Sequence, residues 1–75
     1  MEEKLNEILQ EHENRIIDYK KEEETLNSKI QFCDAHNLPE EKRITLIKWE
    51  ILSKVLYRYE AMAKELREML NAWNS

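Results

Sequence analysis

The feature that most restricts the fold of this 75-residue chain is the absence of glycine, combined with a single proline at position 39. Glycine supplies the positive-φ positions of tight β-turns and phosphate-binding loops, so a chain without it is poorly suited to either. Residues that favour helices, mainly Leu, Glu, Lys, Arg, Ala and Met, dominate on both sides of Pro39. The composition therefore predicts two long helices that meet near this proline.

The first predicted helix, about residues 2–35, carries a narrow row of core positions at intervals of four and three. The row reads Leu5, Leu9, His12, Ile16, Tyr19, Glu23, Leu26, Ile30 and Cys33. Such a heptad row is typical of a helix that packs against one neighbour and exposes its other faces. Glu23 is predicted to lie level with residue 53 of the second helix, close to Lys54 or Tyr57.

The predicted turn covers about residues 36–39. Asn37 suits a left-handed stop of the first helix, and Pro39 suits the first turn of the next. Asn37 and Glu40 also have the spacing of a capping box. Because short connections between long helices make antiparallel neighbours, we expect one all-α domain over residues 1–75, folded as a long antiparallel helical hairpin.

The second predicted helix, about residues 39–73, has a wider apolar face. A heptad frame places Thr45, Leu52, Tyr59, Leu66 and Trp73 at a, and Lys48, Val55, Met62 and Met69 at d. Further apolar residues then fall at e and g, beyond what one facing helix covers. They form a predicted self-association flank of Ile44, Ile51, Leu56, Ala63 and Leu70. Two hairpins are expected to pair as a homodimer, a four-helix bundle; the alternative is a monomeric hairpin whose apolar side is reserved for another protein.

A second surplus of apolar residues lies near the turn. Its members are Phe32, Leu46, Ile47, Trp49 and Tyr57. Contiguous exposed apolar area marks partner sites, and Trp and Tyr are common anchors of protein interfaces. These five residues are predicted to bind another protein, with local packing over the turn as the alternative.

The sequence offers little for catalysis or metal binding. His12 and His36 would lie more than about 30 Å apart along the helix axis, Cys33 is the only cysteine, and no nucleophile is accompanied by a base and an orienting acid. We therefore expect no enzyme activity, no cofactor and no metal site. The lone thiol and the absence of an apolar run of membrane-spanning length lead us to expect a cytoplasmic protein without a membrane segment.

Charge weighs against nucleic-acid binding. Residues 1–36 carry ten acidic and five basic side chains, residues 37–75 carry six and seven, and the bases are interleaved with acids. Nucleic-acid binding proteins need a basic stripe. A pair of such hairpins would nevertheless be similar in layout to the plasmid copy-number regulator Rop, which binds paired RNA loops, although no motif residues match. The sequence therefore predicts a small protein–protein interaction module, a regulator or inhibitor, with a nucleic-acid-binding bundle as the alternative.

Overall fold

The computed structural model describes residues 2–74 and contains two α-helices, α1 (Glu2–Ala35) and α2 (Pro39–Asn74). The helices pack against each other in opposite directions and form a rod with extents of 55 × 15 × 14 Å. No strand occurs within this range. Each helix has two glutamates in its first turn, where negative charge stabilises the helix dipole. The predicted all-α helical hairpin is confirmed.

The turn between the helices is a Schellman motif with asparagine in the left-handed position. Asn37 has φ 54°, and the N–H groups of Asn37 and Leu38 donate to carbonyl oxygens in the last turn of α1, at 3.4 and 2.9 Å. The N–H of Lys42 donates to the carbonyl of Leu38 at 3.0 Å, which opens α2. The left-handed stop at Asn37 and the position of Pro39 are confirmed. The capping box is wrong, because Leu38, one residue later, takes the N-cap position.

The row of core positions predicted for α1 is confirmed. All of its members are buried or half-buried, whereas most other residues of this helix are exposed. Ile16 is 9% and Cys33 1% exposed. Glu23, a polar member, lies level with residue 53 as expected, but its partner is Ser53, whose hydroxyl donates to the carboxylate at 3.1 Å. The half-buried carboxylate thereby has a hydrogen-bond partner on the facing helix.

The row predicted for α2 needs a correction. The residues assigned to a self-association flank, Leu56, Ala63 and Leu70, are 7%, 0% and 7% exposed, and they face α1. By contrast, Met62 and Met69, which the heptad pattern predicts in the core, are 46% and 54% exposed. The residues of α2 that face α1 are Thr45, Trp49, Leu52, Leu56, Tyr59, Ala63, Leu66 and Leu70, here called the main seam. In the frame of the main seam, Trp49, Leu56, Ala63 and Leu70 occupy a positions instead of the predicted e positions. Thr45, Leu52, Tyr59 and Leu66 occupy d positions instead of the predicted a positions.

The side chains of Lys48 and Ala63 explain why α2 packs in this frame. The rejected frame would bury Lys48, and an unpaired buried ammonium group is costly. The observed frame leaves Lys48 exposed and puts Ala63 against α1, where Ala63 and Leu56 form a cluster with Ile16. A small side chain at this layer lets the two helices approach closely, so the core is centred here, flanked by Tyr19 and Tyr59.

Candidate interaction surface

A second row of residues, five of its eight members apolar and three charged, runs along α2, next to the main seam and outside the hairpin core. Its positions again follow intervals of four and three, and we call it the second seam: Ile44, Lys48, Ile51, Val55, Arg58, Met62, Glu65 and Met69. Ile44, Ile51, Met62 and Met69 are 55%, 60%, 46% and 54% exposed. In the frame of the main seam these residues occupy positions c and g, which form one continuous flank of the helix. Ile44 and Ile51, predicted for self-association, thus belong to an exposed surface.

Helix α1 contributes the other wall of a shallow groove beside the second seam. Tyr19, Glu22 and Leu26 of α1 and Lys48, Ile51, Leu52 and Val55 of α2 line an open groove of about 340 Å³. In an antiparallel helix pair, the g positions of both helices share one flank, and here that flank is apolar on the α2 side. The groove is open along one side, so it suits a helix or another extended surface better than an enclosed small molecule.

The opposite flank of the hairpin is closed by polar contacts between the helices. The Lys20 ammonium lies 3.5 Å from the Glu60 carboxylate, and the Nε and Nη2 groups of Arg67 both donate to Glu13 Oε1 at 3.3 Å. These pairs join e positions of α1 to e positions of α2. Each exposed pair contributes only about 0.2–1 kcal/mol, yet together they leave this flank charged. The two flanks therefore differ in character: ion pairs bridge the helices on one flank, and the other carries the exposed apolar residues of the second seam.

The five residues predicted to bind a partner near the turn do not form one patch. Trp49 is half-buried within the main seam, and its indole nitrogen is buried without a hydrogen-bond partner among the described residues. Phe32 lies at position c of α1, on the apolar flank, where its ring stacks on His36 with centroids 4.0 Å apart. Leu46, Ile47 and Tyr57 are 41%, 51% and 71% exposed, and their positions e, f and b lie on the other side of α2. We call these three residues the outer ridge.

The polar and aromatic residues His12, Tyr19 and Tyr59 make contacts within the hairpin core. The His12 ring N–H donates from Nδ1 to the carbonyl of Ile8 at 2.8 Å, and the ring lies 5.2 Å from that of Tyr59. Tyr59 in turn contacts Tyr19 at 5.4 Å between ring centroids. Aromatic pairs at such distances contribute about 0.5–1.5 kcal/mol beyond their buried area. This row of rings stabilises the helix pair near its middle.

Two further observations bear on the kind of site. Among residues 2–74, no three His, Cys, Asp or Glu side chains come together in a way that would hold a metal ion. Neither helix, as far as the structure describes it, has the combination of length and hydropathy that a membrane crossing requires. Comparisons of the chain with protein-family models, with curated proteins and with solved structures gave no match.

The second seam was missed as a unit in the sequence because two frames overlap on α2. Both frames contain Thr45, Leu52, Tyr59 and Leu66, and they differ in whether the second row is Trp49–Leu56–Ala63–Leu70 or Lys48–Val55–Met62–Met69. The signal that separates them was present. Lys48 interrupts one row, whereas the other row is apolar throughout, and Arg58 and Glu65 fall in the positions that complete the exposed flank.

Proposed function

We propose that this chain is a small helical interaction module, a regulator or inhibitor that acts by binding another protein, and that two hairpins pair into a four-helix bundle. The observation that carries the proposal is the exposure of large apolar side chains on two sides of α2 while a third side faces α1. Scattered exposed apolar residues are normal on soluble proteins, whereas apolar surface that continues along one face marks an interaction site.

The two exposed sides of α2 suit different occupants. The second seam has heptad spacing, which is the pattern that packs against another helix. The outer ridge of Leu46, Ile47 and Tyr57 has no such spacing, and the Glu50–Lys54 ion pair lies between Ile47 and Tyr57. This side of α2 therefore suits a partner of different shape that offers both apolar and polar groups. Tyr57 is 71% exposed and offers a rigid ring with a hydroxyl group, a combination enriched among residues that dominate binding energy.

The shape of the molecule supports binding rather than turnover of a small molecule. Enzyme and cofactor sites are concave and bury most of their ligand. The grooves along this rod are open, and the one beside Tyr19 and Leu26 is lined mainly by apolar side chains. We therefore assign the activity to contact between macromolecular surfaces.

The assignment of the outer ridge is tested with two matched variants, Ile47→Glu and Ile17→Glu. Ile47 and Ile17 are 51% and 53% exposed, and each substitution places the same charge on a helix surface. Immobilised protein is incubated with extract of the native host, and the retained proteins are identified by mass spectrometry. We expect the unchanged chain and Ile17→Glu to retain the same specific protein, and Ile47→Glu to lose it while circular dichroism shows unchanged helix content. Equal retention by all three chains would contradict the assignment.

A further inference from the structure

The spacing of residues in the second seam of α2 is the same when it is counted from either end. Its intervals are four, three, four, three, four, three and four residues, from Ile44 to Met69. When two heptad rows pack antiparallel, each position of one kind faces a position of the other kind. A row with this symmetry can therefore pack against a copy of itself with every position matched.

We propose that the second seam binds the second seam of another copy of this chain, antiparallel, around a two-fold axis that passes between positions 56 and 57. This inference rests on the proposed pairing of two hairpins and adds its face, direction and register. Four contacts, each formed twice, define the interface: Ile44 with the partner's Met69, Lys48 with the partner's Glu65, Ile51 with the partner's Met62, and Val55 with the partner's Arg58.

The charged residues of the second seam favour the antiparallel arrangement over a parallel one. Lys48 meets the partner's Glu65, an opposite charge, and the two-fold symmetry repeats the pair. A parallel arrangement would place each charged residue of the seam, Lys48, Arg58 and Glu65, opposite an identical one. Like charges at paired positions are destabilising, so the parallel arrangement is disfavoured.

The proposed register is also better than antiparallel registers shifted by one heptad. Sliding one copy by a heptad in one direction places Lys48 against the partner's Arg58 and leaves Met69 without a facing residue. Sliding it in the other direction leaves Ile44 and Lys48 uncovered by the seam. Only the full-length register pairs opposite charges and also covers the four most exposed apolar residues of the second seam, Ile44, Ile51, Met62 and Met69, which are 46–60% exposed.

The length of the seam is adequate for a stable helix pair. From Ile44 to Met69 it extends about 38 Å at 1.5 Å per residue, which is close to four heptads, and sustained heptads of this length are typical of coiled coils. The hairpin does not need to open, because its own core uses the main seam on a different side of α2. Arg58 is the polar member next to the two-fold axis, a position where a polar residue lowers affinity and fixes register.

The test exchanges the charges of the predicted ion pair. Lys48→Glu places two glutamates in each pair, and Glu65→Lys places two lysines there. We expect each single variant to weaken self-association by about tenfold or more, because two attractions become two repulsions. An equimolar mixture of the two variants restores opposite charges in both pairs, so it is expected to form a heterodimer with the affinity of the unchanged chain. Sedimentation equilibrium at low salt gives the masses, with one variant isotopically labelled for native mass spectrometry of the mixture.

Matched controls make the same charge changes elsewhere on α2. Lys64 and Glu68 are exposed and lie outside the second seam, so Lys64→Glu and Glu68→Lys are expected to associate as the unchanged chain does. A monomeric unchanged chain at all concentrations would overturn both the pairing of hairpins and this interface. A dimeric chain whose association is insensitive to Lys48→Glu and Glu65→Lys would leave the pairing in place and overturn the register. Failure of the two variants to recombine would also overturn it.

Discussion

Replacement of Ala63 by leucine tests the close approach of the two helices. Ala63 is 0% exposed and forms the centre of the core with Ile16 and Leu56. A leucine side chain has no free space there, and overpacking of a core costs about 1–3 kcal/mol. For a domain of this size each kcal/mol lowers Tm by about 4–8 °C, so we expect Tm to fall by roughly 5–20 °C.

The matched control is Ala61→Leu, two residues away. Ala61 is exposed, and alanine and leucine have similar helix propensities, so this variant is expected to stay within about 0.5 kcal/mol of the unchanged chain. Thermal unfolding is followed by far-UV circular dichroism at one fixed protein concentration, because the proposed self-association would make Tm depend on concentration. If Ala63→Leu unfolds at the same temperature as Ala61→Leu, position 63 does not lie between the helices, and the main seam assigned to α2 is wrong.

Three further predictions concern the frame, the turn and the contact between helices. Leu70→Ala is expected to lower the free energy of unfolding by about 2–4 kcal/mol and Met69→Ala by less than about 1 kcal/mol, measured by urea denaturation of dilute protein; equal losses would argue against the main seam. Asn37→Val is expected to cost about 1–2 kcal/mol because a β-branched residue is strained at positive φ, whereas Asn37→Gly keeps or raises stability; similar stabilities for the two would exclude the left-handed turn. A double-mutant cycle on Glu23→Ala and Ser53→Ala is expected to give a coupling of about 0.5–1.5 kcal/mol, and zero coupling would exclude the hydrogen bond between the helices.

The hairpin was predictable from the sequence because several local signals agree. The row on α1 has one regular frame, Asn37 and Pro39 have specific roles at helix ends, and no glycine offers another turn. Agreement of propensity, periodicity and turn chemistry is what makes a sequence specify one fold. The end of α1 and the start of α2 were accordingly placed within a residue of their observed positions.

The face that α2 turns toward α1 was not predictable from periodicity alone. Its apolar residues fill two adjacent rows that share Thr45, Leu52, Tyr59 and Leu66, and either row gives a regular heptad. The choice depends on the cost of burying Lys48 and on the close packing that Ala63 allows, and both are tertiary effects. For this reason the heptad pattern wrongly predicts Leu56, Ala63 and Leu70 on the outside of the hairpin and Met62 and Met69 in its core.

The outer ridge shows the same limit. The sequence pattern places Phe32 and Tyr57 in one predicted partner site, but their separation onto opposite flanks of the hairpin depends on which edges of the two helices meet. The packing of the main seam sets those edges, and polar contacts such as Lys20–Glu60 lie along one of them. A sequence pattern gives the position of a residue around its own helix, and only the packing of the two helices shows which of those positions share a surface.

The central claim, that the second seam of α2 is an interface between two copies, is tested most directly by cross-linking between positions 51 and 62. Chains carrying Ile51→Cys are mixed with chains carrying Met62→Cys under mild oxidation; Cys33 is 1% exposed and does not compete. A disulfide requires Cα atoms within about 7 Å, and in the proposed dimer the two copies of position 51 lie about 16 Å apart along the axis. The account predicts rapid linkage of 51 to 62 in the mixture and little linkage in either variant alone. Equal linkage of 51 to 51, or no linkage in a mixture that is dimeric by mass, would contradict it.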